Sequence, residues 1–229
     1  MPDSKHRPAV STGEPLETCS PREPSPWNLP NSLTMLRLVF VPGFAVLLWL
    51  SEGTAAGWLI AATALFAAGV ATDYYDGALA RSRGSITTFG KLADPIADKA
   101  LTGTALVGLC LLQLLSWPVV VTIVVRELAV TLLRLLVIRR GIIAASWGGK
   151  LKTALQMLAI MWYLWPWEAV ADWLVGQIGV GMVLGSVVGG LAHAGPVLMA
   201  AAVAVTVLTG LDYLRRTAAL LRSPRPGVR

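Results

Sequence analysis

The sequence predicts an all-α integral membrane protein with six transmembrane helices and both termini in the cytoplasm. Three observations predict it. The 229 residues are 55% hydrophobic and only 14% charged, with a mean hydropathy of +0.65, whereas soluble domains carry about one quarter charged residues. Several apolar runs reach roughly 18 to 22 residues, enough to cross about 30 Å of hydrocarbon. The basic residues also recur at every second connection, as they do when those connections stay in the cytoplasm.

Taken in order, residues 1–26 hold Pro, Ser, Glu and Lys without the apolar centre of a signal peptide, and read as a disordered cytoplasmic tail. A membrane domain follows over 27–217, with spans expected at 33–51, 55–72, 95–115, 117–138, 153–171 and 194–213. Residues 174–193 are apolar but Gly-rich; they either lengthen the last two helices or form a re-entrant segment. Residues 218–229 form a basic tail. Lys5, Arg7 and Arg22 precede the first span, and Arg81, Arg83, Lys91 and Lys99 lie between the second and third. Arg139, Arg140, Lys150 and Lys152 lie between the fourth and fifth, and Arg215, Arg216, Arg222, Arg225 and Arg229 close the chain. The opposite connections carry Glu52, Glu168 and Asp172 instead. The net charge of +6 therefore faces anionic headgroups on the cytoplasmic side. Spread over four short segments, it does not form a nucleic-acid-binding surface. Cys19 and Cys110 have neither metal nor disulfide spacing.

The segment richest in chemistry begins at Asp73-Tyr-Tyr-Asp76-Gly77-Ala-Leu-Ala80-Arg81 and ends at Gly90-Lys-Leu-Ala-Asp94-Pro-Ile-Ala-Asp98. On helices, spacings of three and four put each pair of carboxylates on one face. The short connection makes the two helices antiparallel neighbours, so the acidic faces can converge. Four converging carboxylates repel or take up protons unless a cation lies between them. A hard divalent cation, or a pair, is the natural partner. The alternative is a solvated interfacial loop in which the acids pair with Arg81, Arg83, Lys91 and Lys99. Gly77 and Gly90 each leave room for a phosphate or nucleotide, or serve as packing and turn devices. Arg81 can offer a phosphate its fork of donors.

Asp73, Asp76, Gly77, Ala80, Arg81, Gly90, Asp94 and Asp98 match every fixed position of the pattern D-x2-D-G-x2-A-R-x8-G-x3-D-x3-D. The segment thereby resembles the CDP-alcohol phosphotransferase family. The resemblance implies six helices, a homodimer and a polar cavity open to the cytoplasm. It implies two magnesium ions, manganese being the alternative, held by Asp73, Asp76, Asp94 and Asp98, with Asp98 also the general base. It further implies that Gly77, Arg81 and Thr87 contact the CDP group, with Ser85 and Thr88 as neighbouring candidates. Asn28-Leu-Pro-Asn31-Ser-Leu-Thr34-Met-Leu-Arg37 looks like the family's entry to its first span, where Asn31 and Thr34 meet the cytidine. The same residues also read as an N-cap, with Asn31 or Ser32 capping.

Arg126 inside the fourth span needs a partner, and Glu127, adjacent in sequence, is not expected to face it. Arg126 and Arg134, eight apart, share a face; a phosphate in the cavity explains them, as does pairing with acids of other helices. With Lys150 and Lys152 they make a pocket for a phosphorylated acceptor, which disfavours choline, ethanolamine and serine. From about residue 28 to 160 the chain resembles the phosphatidylglycerophosphate-forming branch of the family, which implies CDP-diacylglycerol as donor and glycerol 3-phosphate as acceptor. Transfer to inositol phosphate or to phosphatidylglycerol is the nearest rival. A cation transporter is a remoter one, since all four acids sit at one membrane face. His6 and His193 lie outside this core, and no covalent intermediate is expected.

Overall fold

A chain inside hydrocarbon must satisfy its backbone polar groups within each crossing, and helices do so locally. The computed structural model describes residues 29–83, 88–137, 147–177 and 181–222, and is all-helical among them. Helix α1 is Leu29–Ser51, α2 Ala56–Arg83, α3 Thr88–Leu111 and α4 Trp117–Val137. Helix α5 is Trp147–Leu164, α6 Trp167–Gln177, α7 Met182–Gly190 and α8 Ala194–Arg222, with a 3-10 turn at Leu191–His193. Among the described residues three segments are long and apolar enough to cross a membrane: Thr34–Ser51, Ala56–Asp73 and Met182–Ala219. Lys99–Leu111 is a shorter apolar helix.

The outward faces fit a lipid solvent. Val39, Trp49, Leu111, Leu132, Val197 and Leu208 are each at least 60% exposed. Apolar surface so widely displayed is an aggregation hazard in water and suits acyl chains. The chain is a helical membrane protein.

Turn chemistry sets the first hairpin. Ser51 Oγ donates to the Leu48 carbonyl at 2.7 Å and accepts from the Gly53 amide at 3.2 Å. Glu52 and Gly53 then take φ of 46° and 77°, a left-handed exit that glycine permits without a Cβ penalty. The chain thus returns at once, laying α2 along α1.

Two prolines shape the other end. Pro166 has no amide to donate, and its ring disfavours helix in the residue before it. Helix α5 therefore stops at Leu164, not near the expected 171. The chain continues as a tight α6–α7 hairpin, with Gly185 lying against Val175 and Ala171. Pro196 likewise cannot bond the carbonyl of Ala192, and the backbone tightens to 3-10 geometry just before it. Of the two readings of 174–193, lengthening holds for α8, since the apolar stretch from Met182 runs through the turn into it. It fails for α5, which is followed by the separate short helix α6. Trp162 Nε1 donates to the Leu191 carbonyl at 2.8 Å, and Trp167 Nε1 to the Trp162 carbonyl at 3.0 Å. These indoles pin the hairpin to the bundle.

Helix α1 packs on both α2 and α3, α8 packs on α4 and α5, and α2 touches α5. Phe44, Phe66, Leu101, Leu109, Ile123, Ile160 and Met199 form the shared core. In a bilayer, close packing takes over much of the role water-driven burial has elsewhere, and small residues at crossings allow it. A Cβ on Gly108 would collide with the Leu48 side chain, which is buried. Gly108→Val should destabilise the fold by about 1–3 kcal/mol, seen as a lower unfolding temperature in detergent. Gly57→Ala, with nothing within 4 Å of its Cβ, should leave that temperature unchanged.

Candidate active site

Helices α2 and α3 run further towards the loop between them than the expected spans, and both aspartate pairs stand on helical backbone. The helical backbone that the spacings of three and four call for is present under both pairs, and the two helices are in contact. Asp73 is about half exposed, and its Oδ1 lies 2.9 Å from Nη1 of Arg37, a side chain only 1% exposed. Arg37 belongs to α1, one turn beyond the fully buried Thr34. The side chains of Asn31, Asp76, Arg81, Asp94, Asp98 and Arg134 lie outside the described residues, as do those around Gly77 and Gly90, and Thr87 with its loop. Among the described residues no group of three or more His, Cys, Asp or Glu gathers.

The donors present fit a hard divalent cation. All four candidates are carboxylates, which offer the oxygen ligands that magnesium prefers. Asp73, the one whose side chain is described, is open enough to be reached.

A second cluster joins α3, α4, α5 and α8. Glu127 Oε2 accepts from Lys99 Nζ at 2.6 Å, and Glu127 Oε1 accepts from Lys152 Nζ and, at 3.2 Å, from Arg126 Nη1. Arg126 also donates through Nε to the Thr206 carbonyl at 3.0 Å and through Nη2 to Thr209 Oγ1 at 2.7 Å. The expectation that Glu127 would not face Arg126 is corrected here. The spacing rule concerns where neighbouring side chains leave the helix. The long guanidinium runs across to α8, and its Nη1 still meets the carboxylate next to it. Protein acceptors account for Arg126 inside the span, without a phosphate.

The cation group also divides differently than its sequence order suggests. Helix α5 begins at Trp147, so Lys150 and Lys152, two apart, leave on opposite sides. Lys150 is exposed and Lys152 is 6% exposed against Glu127. Lys99, a candidate counter-ion for the aspartates in the solvated-loop alternative, is committed to Glu127. Lys99, Glu127 and Lys152 line a cavity of about 170 Å³ together with Thr102, Thr153 and Gln156, over a floor of Leu106, Ile123 and Met157. On α3, Asp98 immediately precedes Lys99 and stands one turn before Thr102, so this cavity adjoins the aspartate segment.

Sequence reasoning assigned no role to Arg37, Glu127 or Gln156. The signal for Arg37 was its spacing, three residues beyond Thr34 on a helix heading for the membrane. For Glu127 it was the intramembrane acid itself, which needs a cation partner wherever one is in reach.

The chain matches the CDP-alcohol phosphatidyltransferase family over residues 27–208. It is 48% identical over 189 residues to a probable phosphatidylglycerophosphate synthase of Mycobacterium tuberculosis, covering 82% of this chain and 81% of that protein. It is 36% identical over 145 residues to the CDP-diacylglycerol–glycerol-3-phosphate 3-phosphatidyltransferase of Escherichia coli, covering 61% of this chain and 78% of that one.

Proposed function

Since this chain belongs to the CDP-alcohol phosphatidyltransferase family, we propose that it transfers the phosphatidyl group of CDP-diacylglycerol to sn-glycerol 3-phosphate, releasing CMP. The observation that carries this reading is the eight-position aspartate pattern on two contacting helices, in a chain whose relatives are named for that reaction. Asp73, Asp76, Asp94 and Asp98 are the residues to hold magnesium or manganese, two ions per site. When bound, such ions neutralise charge on the pyrophosphate and hold it for in-line displacement.

The chain's own residues do the rest. Asn31, Thr34, Gly77, Arg81 and Thr87 hold the CDP group. The acceptor hydroxyl oxygen bonds to the phosphatidyl phosphorus, the phosphoanhydride bond breaks, and CMP leaves with the electron pair. Asp98 accepts the proton from the hydroxyl. Arg134 and Lys152, with Arg126 linked through Glu127, supply the positive potential for the acceptor phosphate, and Lys150, on the opposite side of α5, adds to it only at longer range.

We read α1 to α5 and α8 as six spans, placing every basic connection, both termini and the site on the cytoplasmic side of the cell membrane. A homodimer is the assembly proposed. Purified protein given CDP-diacylglycerol, magnesium and glycerol 3-phosphate should release CMP, and a chelator should stop release until magnesium is restored. Release with inositol phosphate or phosphatidylglycerol in place of glycerol 3-phosphate would change the acceptor and leave the reaction class standing. No CMP with any acceptor would overturn the reading.

A further inference from the structure

We propose that Gln156 is a specificity-determining residue, holding a hydroxyl of the acceptor other than the one that reacts; this rests on the glycerol 3-phosphate reading above. Gln156 is 3% exposed, and its Oε1 has no hydrogen-bond partner among the described residues. A buried amide oxygen left unpaired is costly, and native interiors rarely keep one without a use. Gln156 also lines the cavity that holds Lys99, Glu127 and Lys152. A ligand entering that cavity can therefore supply the donor that the described residues do not.

The chemistry of the walls specifies the ligand. Lys99, Arg126 and Lys152 share the single carboxylate of Glu127, so this cluster carries excess positive charge and favours an anion. Gln156 stands one helical turn beyond Lys152 on the same face of α5, a rise of roughly 6 Å. That is about the reach from a phosphate to a hydroxyl within a three-carbon chain. The floor is apolar, so beyond the charged rim a hydroxyl has few partners besides Gln156, Thr102 and Thr153. A small phosphorylated polyol satisfies both ends, whereas a phosphorylated alcohol without the extra hydroxyl leaves Gln156 unpaired.

The test compares two acceptors in the CMP-release assay: glycerol 3-phosphate and 3-hydroxypropyl phosphate, which keeps the phosphate and the terminal hydroxyl but lacks the middle one. The wild type should prefer glycerol 3-phosphate by at least about tenfold in kcat/KM, because a site built to bond a hydroxyl rejects the analogue lacking it. Gln156→Met, which keeps the length of the side chain, should lose about tenfold with glycerol 3-phosphate and almost nothing with the analogue, at an unchanged KM for CDP-diacylglycerol. The preference then falls to near one. A purely structural Gln156 would lower both acceptors together, and an unchanged preference in the variant overturns the proposal. If the variant does not fold, the wild type decides: equal use of the two acceptors overturns the proposal alone. No turnover with glycerol 3-phosphate overturns the functional reading, and this inference with it.

Discussion

Asp98→Asn should reduce CMP release by roughly 10²- to 10⁴-fold, the range over which a positioned general base contributes, while the protein still binds CDP-diacylglycerol. Asparagine keeps the shape of the side chain and one oxygen, so the donor site should survive. What it loses is the ability to accept a proton from the attacking hydroxyl. The placement of Asp98 favours this assignment: it directly precedes Lys99 on α3, and Lys99 and Thr102 line the cavity proposed for the acceptor. Binding of the CDP-lipid and single-turnover CMP release, measured on the same preparation, check both halves of the expectation. Turnover equal to wild type would remove Asp98 as base.

Glu127→Gln should both weaken the fold and impair use of the acceptor. Lys152 is 6% exposed and Arg126 17%, so removing their shared carboxylate leaves cations with poor access to water. Loss of one partner of a buried pair costs about 3–5 kcal/mol. Since Lys99 is 39% exposed and can recover hydration, about 2–3 kcal/mol is the better expectation here. Thermal unfolding in detergent reads this loss directly. The KM for glycerol 3-phosphate should rise while that for CDP-diacylglycerol stays constant. Pairing the change with Lys152→Met should restore much of the stability, because the stranded cation is gone, but not the acceptor KM. A double variant as unstable as Glu127→Gln alone would show that the carboxylate stabilises the bundle by some route other than Lys152.

The sequence was most informative where one physical rule acted alone. Apolar length and charge deficit announced a helical membrane protein, and the Asp73, Asp76, Asp94 and Asp98 spacings required helices, which α2 and α3 supply. It was least informative where two rules competed. Residues 174–193 are apolar enough for a span and rich enough in glycine for a break. Pro166 and Pro196, which settle the matter through their missing amides, stand outside that stretch. Lys150 and Lys152 looked like one basic loop because the start of α5 is marked by no strong cap. Once helical, two residues of separation part them. Glu127 was missed because adjacency on a helix was applied to the root of the side chain and not to the reach of an arginine. Gln156 gave no warning in one dimension, since only burial reveals that its oxygen has no partner among the described residues.

The tie between Arg126 and α8 has a consequence for how this chain can vary over generations. On α8 it uses the main-chain oxygen of Thr206, which any residue type would provide. At Gly210 it depends on an omission, for a Cβ there would come within 3.1 Å of Arg126 Cγ. Substitutions on the exposed face of α8 would thus leave it fastened to α4, so long as the hydroxyl at position 209 is kept and the space at Gly210 stays empty.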